Sequence, residues 1–499
     1  MIRSIAIIGA GIGGLSAGCY ARTNGYETDI FELHSGPGEL CTSWRRGDYV
    51  FDGCIHWLVG TSPAGGFGQI WEELGALQGK RIVDHEELLR YEGPGGKYLA
   101  LYTDADRLER HLKELAPGDL AAIEEFTGLI RRLAAMEMPI ENPGLFEGLK
   151  LGLKMLPVLG AFRKYGPVSV REYAGRFSDP FLREAFAEMY GGMSGFPLLG
   201  LGFILAAMQK SDAGYPVGGS LEFARAIERR YLGLGGRVHY NARVERILVE
   251  DDRAVGVRTA DGREHRADYV ISAADGHSTI FGMLEGRYAD DRLRGYYQGG
   301  LEPFPPMIQV SLGVARDLSV EPPTASFPLR RPIVVAGKPR LRMGYRHFCY
   351  DPTMAPAGTS VVVVTFMTDY EYWRDLHADR GAYQAEKDRV AAAVVEGLAG
   401  RFPGIEGQVE VVDVATPMTY EHYTANWRAS FEGWLITAKT MGMMFRGGLP
   451  KSLPGLANFH MIGQWTVIGG GLPPAAKDRR DVIKKICLGD RRKFTTAKP

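Results

Sequence analysis

The residues of this chain best spaced to do chemistry are a set of glycines followed by one acid. Gly9-Ala10-Gly11-Ile12-Gly13-Gly14 directly follows the apolar run Ile5-Ala6-Ile7-Ile8, and Glu32 closes a second apolar run 21 residues after Gly11. Gly9 permits a tight turn, Gly11 lets the backbone approach a pyrophosphate, and Gly14 removes the Cβ that would hold helix and strand apart. The helix beginning at Ile12 and Gly13 then turns its free N–H groups toward the phosphates. A carboxylate about 20 residues beyond such a turn is placed to hold a ribose hydroxyl. Strand, glycine turn, helix, strand and acid together predict a dinucleotide site.

Other candidates carry weaker signals. His56-Trp57 lies in the apolar context Ile55 to Val59, where a histidine serves as a hydrogen-bonded pocket residue or as a proton carrier. Nothing nearby supplies the remaining ligands of a metal site. Arg45 and Arg46 offer either a phosphate contact or an exposed basic pair. Tyr190 and Tyr423 are further pocket candidates. The doublets Gly218-Gly219 and Gly235-Gly236 lack the strand, helix and acid in register, so one dinucleotide is expected and not two.

These residues need elements to position them. The chain has 499 residues, too many for one simple core, which predicts at least two domains. It carries 59 basic and 59 acidic residues, a balance that gives no reason to expect nucleic acid. Cys19, Cys41, Cys54, Cys349 and Cys487 form no CxxC or zinc pattern, which suits a reduced, cytoplasmic setting. The opening strand begins almost at residue 1, leaving no room for a signal peptide, and no 18-residue uncharged apolar run predicts a spanning helix.

From about 67 to 213 the pattern is mainly helical. A strand-like piece surrounds Tyr98 to Tyr102, and Pro117-Gly118-Asp119 introduces an amphipathic helix through Leu133. Leu145 to Phe162 sets apolar residues around Lys150, Lys154, Arg163 and Lys164, which can snorkel while the apolar face enters a membrane surface or covers a pocket; ordinary packing is the other reading. Peripheral attachment to the inner face of a membrane therefore stays open. Phe196 to Met208 is apolar and uncharged but too short to span. Residues 214 to 280 return to the opening architecture, with Ser220 as a helix cap, hairpin turns at Asp251-Asp252 and Asp261-Gly262, and a buried-type strand over Tyr269 to Ala274. Strands are expected at Ile308–Val314, Ser360–Phe366 and Val409–Val414, and a helix from Tyr383 to Phe402. The aromatic group Tyr370, Tyr372, Trp373, Tyr420, Tyr423, Trp427, Phe431 and Trp434 reads equally as core or as the wall of an apolar ligand cavity.

Taken in order, Ile7 to Gly14 with Glu32, Phe51-Asp52-Gly53 with His56-Trp57, Tyr215 to Gly219, Arg243-Val244, Val270 to Ala273, and Gly463 with Gly469-Gly470-Gly471-Leu472-Pro473 resemble the phytoene desaturase, carotenoid isomerase and retinol saturase group of flavoproteins. Amine oxidases and GDP-dissociation inhibitors are its more distant relatives. The resemblance implies an α/β fold: a Rossmann-like FAD-binding domain of the amine oxidase and phytoene desaturase type, with a second, mixed α+β substrate domain. The FAD-binding parts would be residues 1–80, 214–290 and 431–488, the substrate domain with a helical lid 81–213 and 291–430, and 489–499 a polar tail. It also implies FAD as cofactor, with Glu32 on the adenosine ribose, the Val244 backbone near adenine, Ala273 as a further cofactor contact, and Gly463, Gln464, Gly470, Gly471 and Leu472 near the phosphates and isoalloxazine ring. Arg46 joins this set as the phosphate contact. Relatives carry Gly-Asp where this chain has Gly463-Gln464, and an amide donates as well as accepts. Lys477-Asp478 replaces a Ser-Gly pair.

The expected activity is FAD-dependent oxidation or reduction at the C–C or C=C bonds of a hydrophobic polyene such as a carotenoid or retinoid, with cis-trans isomerisation as a third outcome. His56 would handle a proton or position the flavin, Trp57 would shape the site, and Tyr190 or Tyr423 would line it. The alternatives are an amine oxidase and a non-enzymatic escort for prenyl groups or lipids.

Overall fold

The computed structural model describes residues 2–63, 65–136, 160–191, 193, 195–445 and 449–499. The Leu145 to Phe162 stretch, with its alternatives of membrane contact, a lid or ordinary packing, falls almost wholly outside these residues. Among the described residues no helix is long and apolar enough to cross a membrane.

Ser4–Ile8 is the middle strand of a five-stranded parallel sheet, in the order Phe459–Met461, Tyr269–Ser272, Ser4–Ile8, Glu27–Phe31, Arg237–His239. Its run of β-branched residues is buried on both faces, Ile5 and Ile7 on one side and Ala6 and Ile8 on the other, as a parallel strand covered by helices must be. Helices Ile12–Thr23, Gly219–Gly233 and Leu472–Gly489 supply one cover. An antiparallel meander, Val244–Glu250, Arg253–Thr259 and Glu264–Arg266, supplies the other. Asp251 and Asp252 turn its first hairpin with φ of 47° and 56°, a conformation short acidic side chains tolerate better than most. The sheet thus combines strands more than 400 residues apart in sequence.

The second sheet has seven strands, in the order Val409–Ala415, Met307–Val314, Ser360–Met367, Lys338–His347, Thr324–Val335, Glu87–Glu92, Tyr98–Tyr102. Met307–Val314 is buried throughout, its Val and Leu side chains packed under helix Arg380–Arg401. A separate helical cluster formed by Ala105–Leu115, Leu120–Ala134, Pro180–Glu188 and Leu198–Gln209 holds its own apolar core, and the uncharged Phe196 to Met208 run lies there.

Two expectations change. Gly218, at φ 108°, occupies the cap position of Gly219–Gly233, because only glycine takes that conformation without strain; the Ser220 hydroxyl instead binds Asp52 at 2.6 Å. The aromatic group divides among separate packings: Trp373 against Tyr372 and Tyr383, Tyr420 against Phe431, and Trp427 with Trp434, Trp465 and Tyr297.

Candidate functional site

The carboxyl ends of the parallel strands converge on the glycine turn. Gly9 N–H donates to the Phe31 carbonyl (2.8 Å) and Ala273 N–H to the Ile8 carbonyl (2.9 Å), so both neighbouring strands clamp the turn. A Cβ on Gly14 would stand 1.9 Å from the Gly9 carbonyl oxygen, so the helix reaches this depth only without a side chain. Gly463, at φ 120°, follows the outer strand and faces Ala273. Such a crevice beyond the strand ends is where open parallel sheets take ligands.

Glu32 is buried at 7% exposure, with Oε2 accepting from Ala10 N–H (2.6 Å) and Oε1 from His34 N–H (2.9 Å). Burial raises its pKa while these backbone donors lower it. Its own backbone ties this side of the crevice together, since Ala242 N–H donates to the Glu32 carbonyl two residues before buried Val244. Gly9, Gly11, Ile12, Gly13, Gly14, Glu32, Val244, Ala273 and Gly463 therefore meet at one place.

Gln464 Nε2 donates to Asn426 Oδ1 (2.9 Å), the donor role a carboxylate could not fill. Gly470 and Gly471, at φ 50° and 86°, lead into Leu472 and the last helix. Glu432 lies against Gly470 and Ile436 against Gly469. Ile436 also packs on the helical cluster with Tyr190 and Phe196, which links the triple glycine to the apolar helical wall.

Arg46 does not meet the phosphate turn. It is half exposed and its Nε donates to Asp413 at 2.7 Å, because the Ser43–Arg46 and Tyr49–Asp52 hairpin aims it at the edge of the second sheet. Tyr423 is 57% exposed beside His34 and His422, on the Glu32 side of the crevice and not in an apolar cavity. Tyr190 stacks on Phe196 at 4.2 Å within the helical wall.

His56 is half-buried, with Nδ1 against the Cys54 carbonyl (3.2 Å) and its ring edge-on to Trp57. Burial, then Arg346 and His85, hold its pKa well below the usual imidazole range. With Nδ1–H committed to a carbonyl, Nε2 is left as the acceptor. Asp52 holds this loop: its carboxylate accepts from Ser220 N–H (2.7 Å), Ser220 Oγ (2.6 Å), Cys54 N–H (2.9 Å) and Ser43 Oγ (3.3 Å).

Sequence reasoning missed Glu39, Asp275, Asn426, Glu432 and Arg479. Asp275 accepts from Ser278 and Trp427 backbone N–H groups, and burial pushes it up to about 6. Glu432 is pushed up to about 7 by burial. The signal available for Glu39 was an acid directly after the Gly36-Pro37-Gly38 turn; the others lie on segments with no motif of their own. A groove of 840 Å³ lies between the Pro328–Pro332 bulge and helix Arg380–Arg401, lined by charged residues such as Arg90, Glu92, Arg330 and Glu396. It shares no residue with the glycine turn.

A family model described as flavin containing amine oxidoreductase matches residues 12–467, from the start of the opening helix to beyond the Gly463 strand end. The chain belongs to that family. Family membership makes the protein an enzyme of the FAD-dependent oxidoreductase type and supports FAD as its cofactor. The chloroplastic prolycopene isomerase of Arabidopsis thaliana is 23% identical over 496 residues, covering 93% of this chain and 79% of that one. A lycopene-forming phytoene desaturase from a Paracoccus strain is 26% identical over 493 residues, covering 94% of each. The solved structure of a putrescine oxidase bound to putrescine superposes with a TM-score of 0.60 at 16% identity, covering 98% of this chain and 99% of that one, a likeness of fold.

The residues present fit this flavin oxidoreductase cofactor. Among the described residues Arg479, 2% exposed, has no partner for Nε and Nη1 while its guanidinium faces Gly13, so a buried cation looks onto the helix start where a diphosphate would lie.

Proposed function

We propose that the protein is an FAD-dependent oxidoreductase acting on the C–C or C=C bonds of a hydrophobic polyene such as a carotenoid or retinoid. The observation that carries this reading is the apolar wall: Ile436 joins Gly469, at the expected isoalloxazine side, to a cluster that includes Tyr190, Phe196, Leu198 and Leu201. Relatives named for prolycopene and phytoene covering over nine-tenths of the chain support it. FAD, when bound, supplies a two-electron acceptor or donor. The chain's own residues do the rest. The glycine turn, Arg479 and Glu32 hold the cofactor; the apolar wall orients substrate and excludes water; neutral His56 offers Nε2 to accept a proton from a carbon of the substrate. We place the enzyme in the cytoplasm, with peripheral contact at the inner membrane face.

Glu432 favours a second reading. A carboxyl beside Gly470 would suit a cationic amine, as in an amine oxidase. An anaerobic spectrum of the purified protein, taken before and after adding carotenoids and retinoids in detergent or a panel of amines, separates the two. Polyene-dependent bleaching, or a polyene product formed only with pre-reduced flavin, is expected. Bleaching by an amine alone overturns the proposal in favour of the second reading, and a colourless protein that takes up no FAD favours a lipid escort.

A further inference from the structure

The end of the crevice at the helix start contains two ionisable side chains, one basic and one acidic, that the glycine motif does not require. Arg479 comes from the last helix. A Cβ on Gly13 would lie 2.9 Å from its Nε, and one on Gly463 3.6 Å from its Nη2. Burying a guanidinium with two donor atoms unmatched is costly unless an anion completes it. The adjacent Asp478 is engaged by Lys451, and the opening helix begins at Gly11 with no side-chain cap. The unpartnered cation and the uncapped helix start thus face each other.

Glu39 is held over the same turn. It adopts φ 57°, a left-handed conformation unfavourable for glutamate, directly after Gly38 at φ 110°. The carboxyl lies above Gly11, whose Cβ would be 2.6 Å from Oε2. Oε1 accepts from Asn426 Nδ2 at 3.3 Å. The direction of that bond is fixed from behind, because Trp465 Nε1 can only donate and donates to Asn426 Oδ1 (3.2 Å), which also accepts from Gln464. Oε2 alone therefore looks onto the phosphate position. The charged groups facing Glu39 are Glu32 from the second strand's end, Asp275 from beyond Tyr269–Ser272, and Arg479. Burial, Glu32 and Asp275 push the Glu39 carboxyl up to about 8, against the pull of Asn426 and Arg479.

We propose that Arg479 and Glu39 are diphosphate ligands brought to the glycine turn from outside it, Arg479 as countercharge and Glu39 as an uncharged carboxylic acid donating a hydrogen bond from Oε2. The inference rests on the FAD reading. A carboxylate there would stand beside two other acids and the diphosphate's own negative charges, so binding keeps the Glu39 proton in place. Affinity is then linked to proton uptake: full below the Glu39 pKa of the free protein and lost as pH rises beyond it.

The test is a titration of flavin-stripped protein with FAD, followed by flavin fluorescence between pH 6.5 and 9. Wild-type affinity is expected to fall above about pH 8, approaching tenfold per pH unit for one linked proton. Glu39→Gln, which keeps a donor without a titrating proton, should bind FAD with no such slope. Arg479→Gln should bind about tenfold or more weakly at every pH. A slope unchanged in Glu39→Gln, a flat wild-type profile, or Arg479→Gln binding as tightly as wild type overturns the proposal. Circular dichroism identifies a variant that fails to fold, in which case Arg479→Lys replaces Arg479→Gln and the wild-type slope still decides for Glu39. If no form, wild type included, takes up FAD, the cofactor reading falls together with this one.

Discussion

The Asp52 carboxylate fastens the His56 loop to the helix behind it, and its removal has a calculable cost. In Asp52→Ala the N–H groups of Cys54 and Ser220 and the Ser220 hydroxyl lose their acceptor, in a place where Asp52 is 3% exposed and water is not at hand. Each buried donor left unmatched costs about 1–3 kcal/mol. With some relaxation of the loop, the total is about 3–5 kcal/mol. Unfolding entropy of about 2.1 cal/mol/K per residue over 499 residues gives about 1 kcal/mol/K, so the melting midpoint should fall by about 3–5 °C if the chain melts as one unit. Asp52→Asn keeps one acceptor oxygen but turns an NH2 toward other donors, and should lose about half as much. Because His56 Nδ1 meets the carbonyl of Cys54, turnover should fall in both variants, and further in the alanine variant. The assay is a thermal melt of the flavin-loaded protein by circular dichroism, with turnover measured well below the midpoint. An Asp52→Ala midpoint within 1 °C of wild type would refute the claim that this carboxylate carries the loop.

Gly14→Ala should yield apoprotein even with excess FAD, because its Cβ must displace the Gly9 carbonyl from 1.9 Å; flavin absorbance per mole of purified protein checks this. The buried histidines should make acid destabilising, offset in part by Glu39, Glu432 and Asp275, whose pKa values raised by burial favour the protonated folded form. Burial keeps His56, His85 and His347 below the usual imidazole pKa and lowers His460 to about 4, so all contribute stability above the unfolded value of about 6.5 that is lost as pH falls toward 4. A urea midpoint unchanged between pH 7 and 5 would contradict that reading.

Local chemistry made the first strand, the glycine turn, the opening helix and Glu32 legible from residue order. Each rests on interactions within 32 residues, where a missing Cβ or a β-branched run leaves a mark in the sequence. The hairpin turns at Asp251-Asp252 and Asp261-Gly262 were readable for the same reason. Strands Thr324–Val335 and Lys338–His347 were not, because Pro328 and Pro332 and the arginines at 330, 331, 340, 342 and 346 interrupt the apolar alternation; a bulge between Pro328 and Ile333 accommodates part of that run. The seam of Thr324–Val335 with Glu87–Glu92 is parallel and long-range, set by packing and not by local pattern.

By itself the sequence determined that a dinucleotide turn opens the chain and which acid follows it, because that turn is written in absent side chains at fixed spacing. Only the tertiary structure decided what else reaches the turn. It turned Arg46 away to Asp413, left Tyr423 at the surface, and brought Glu39, Asn426 and Arg479 from three separate segments onto one crevice. The physical reason is that a side chain's charge and donors acquire a partner only when strands far apart in the chain are hydrogen-bonded side by side, and no spacing along the sequence encodes that meeting.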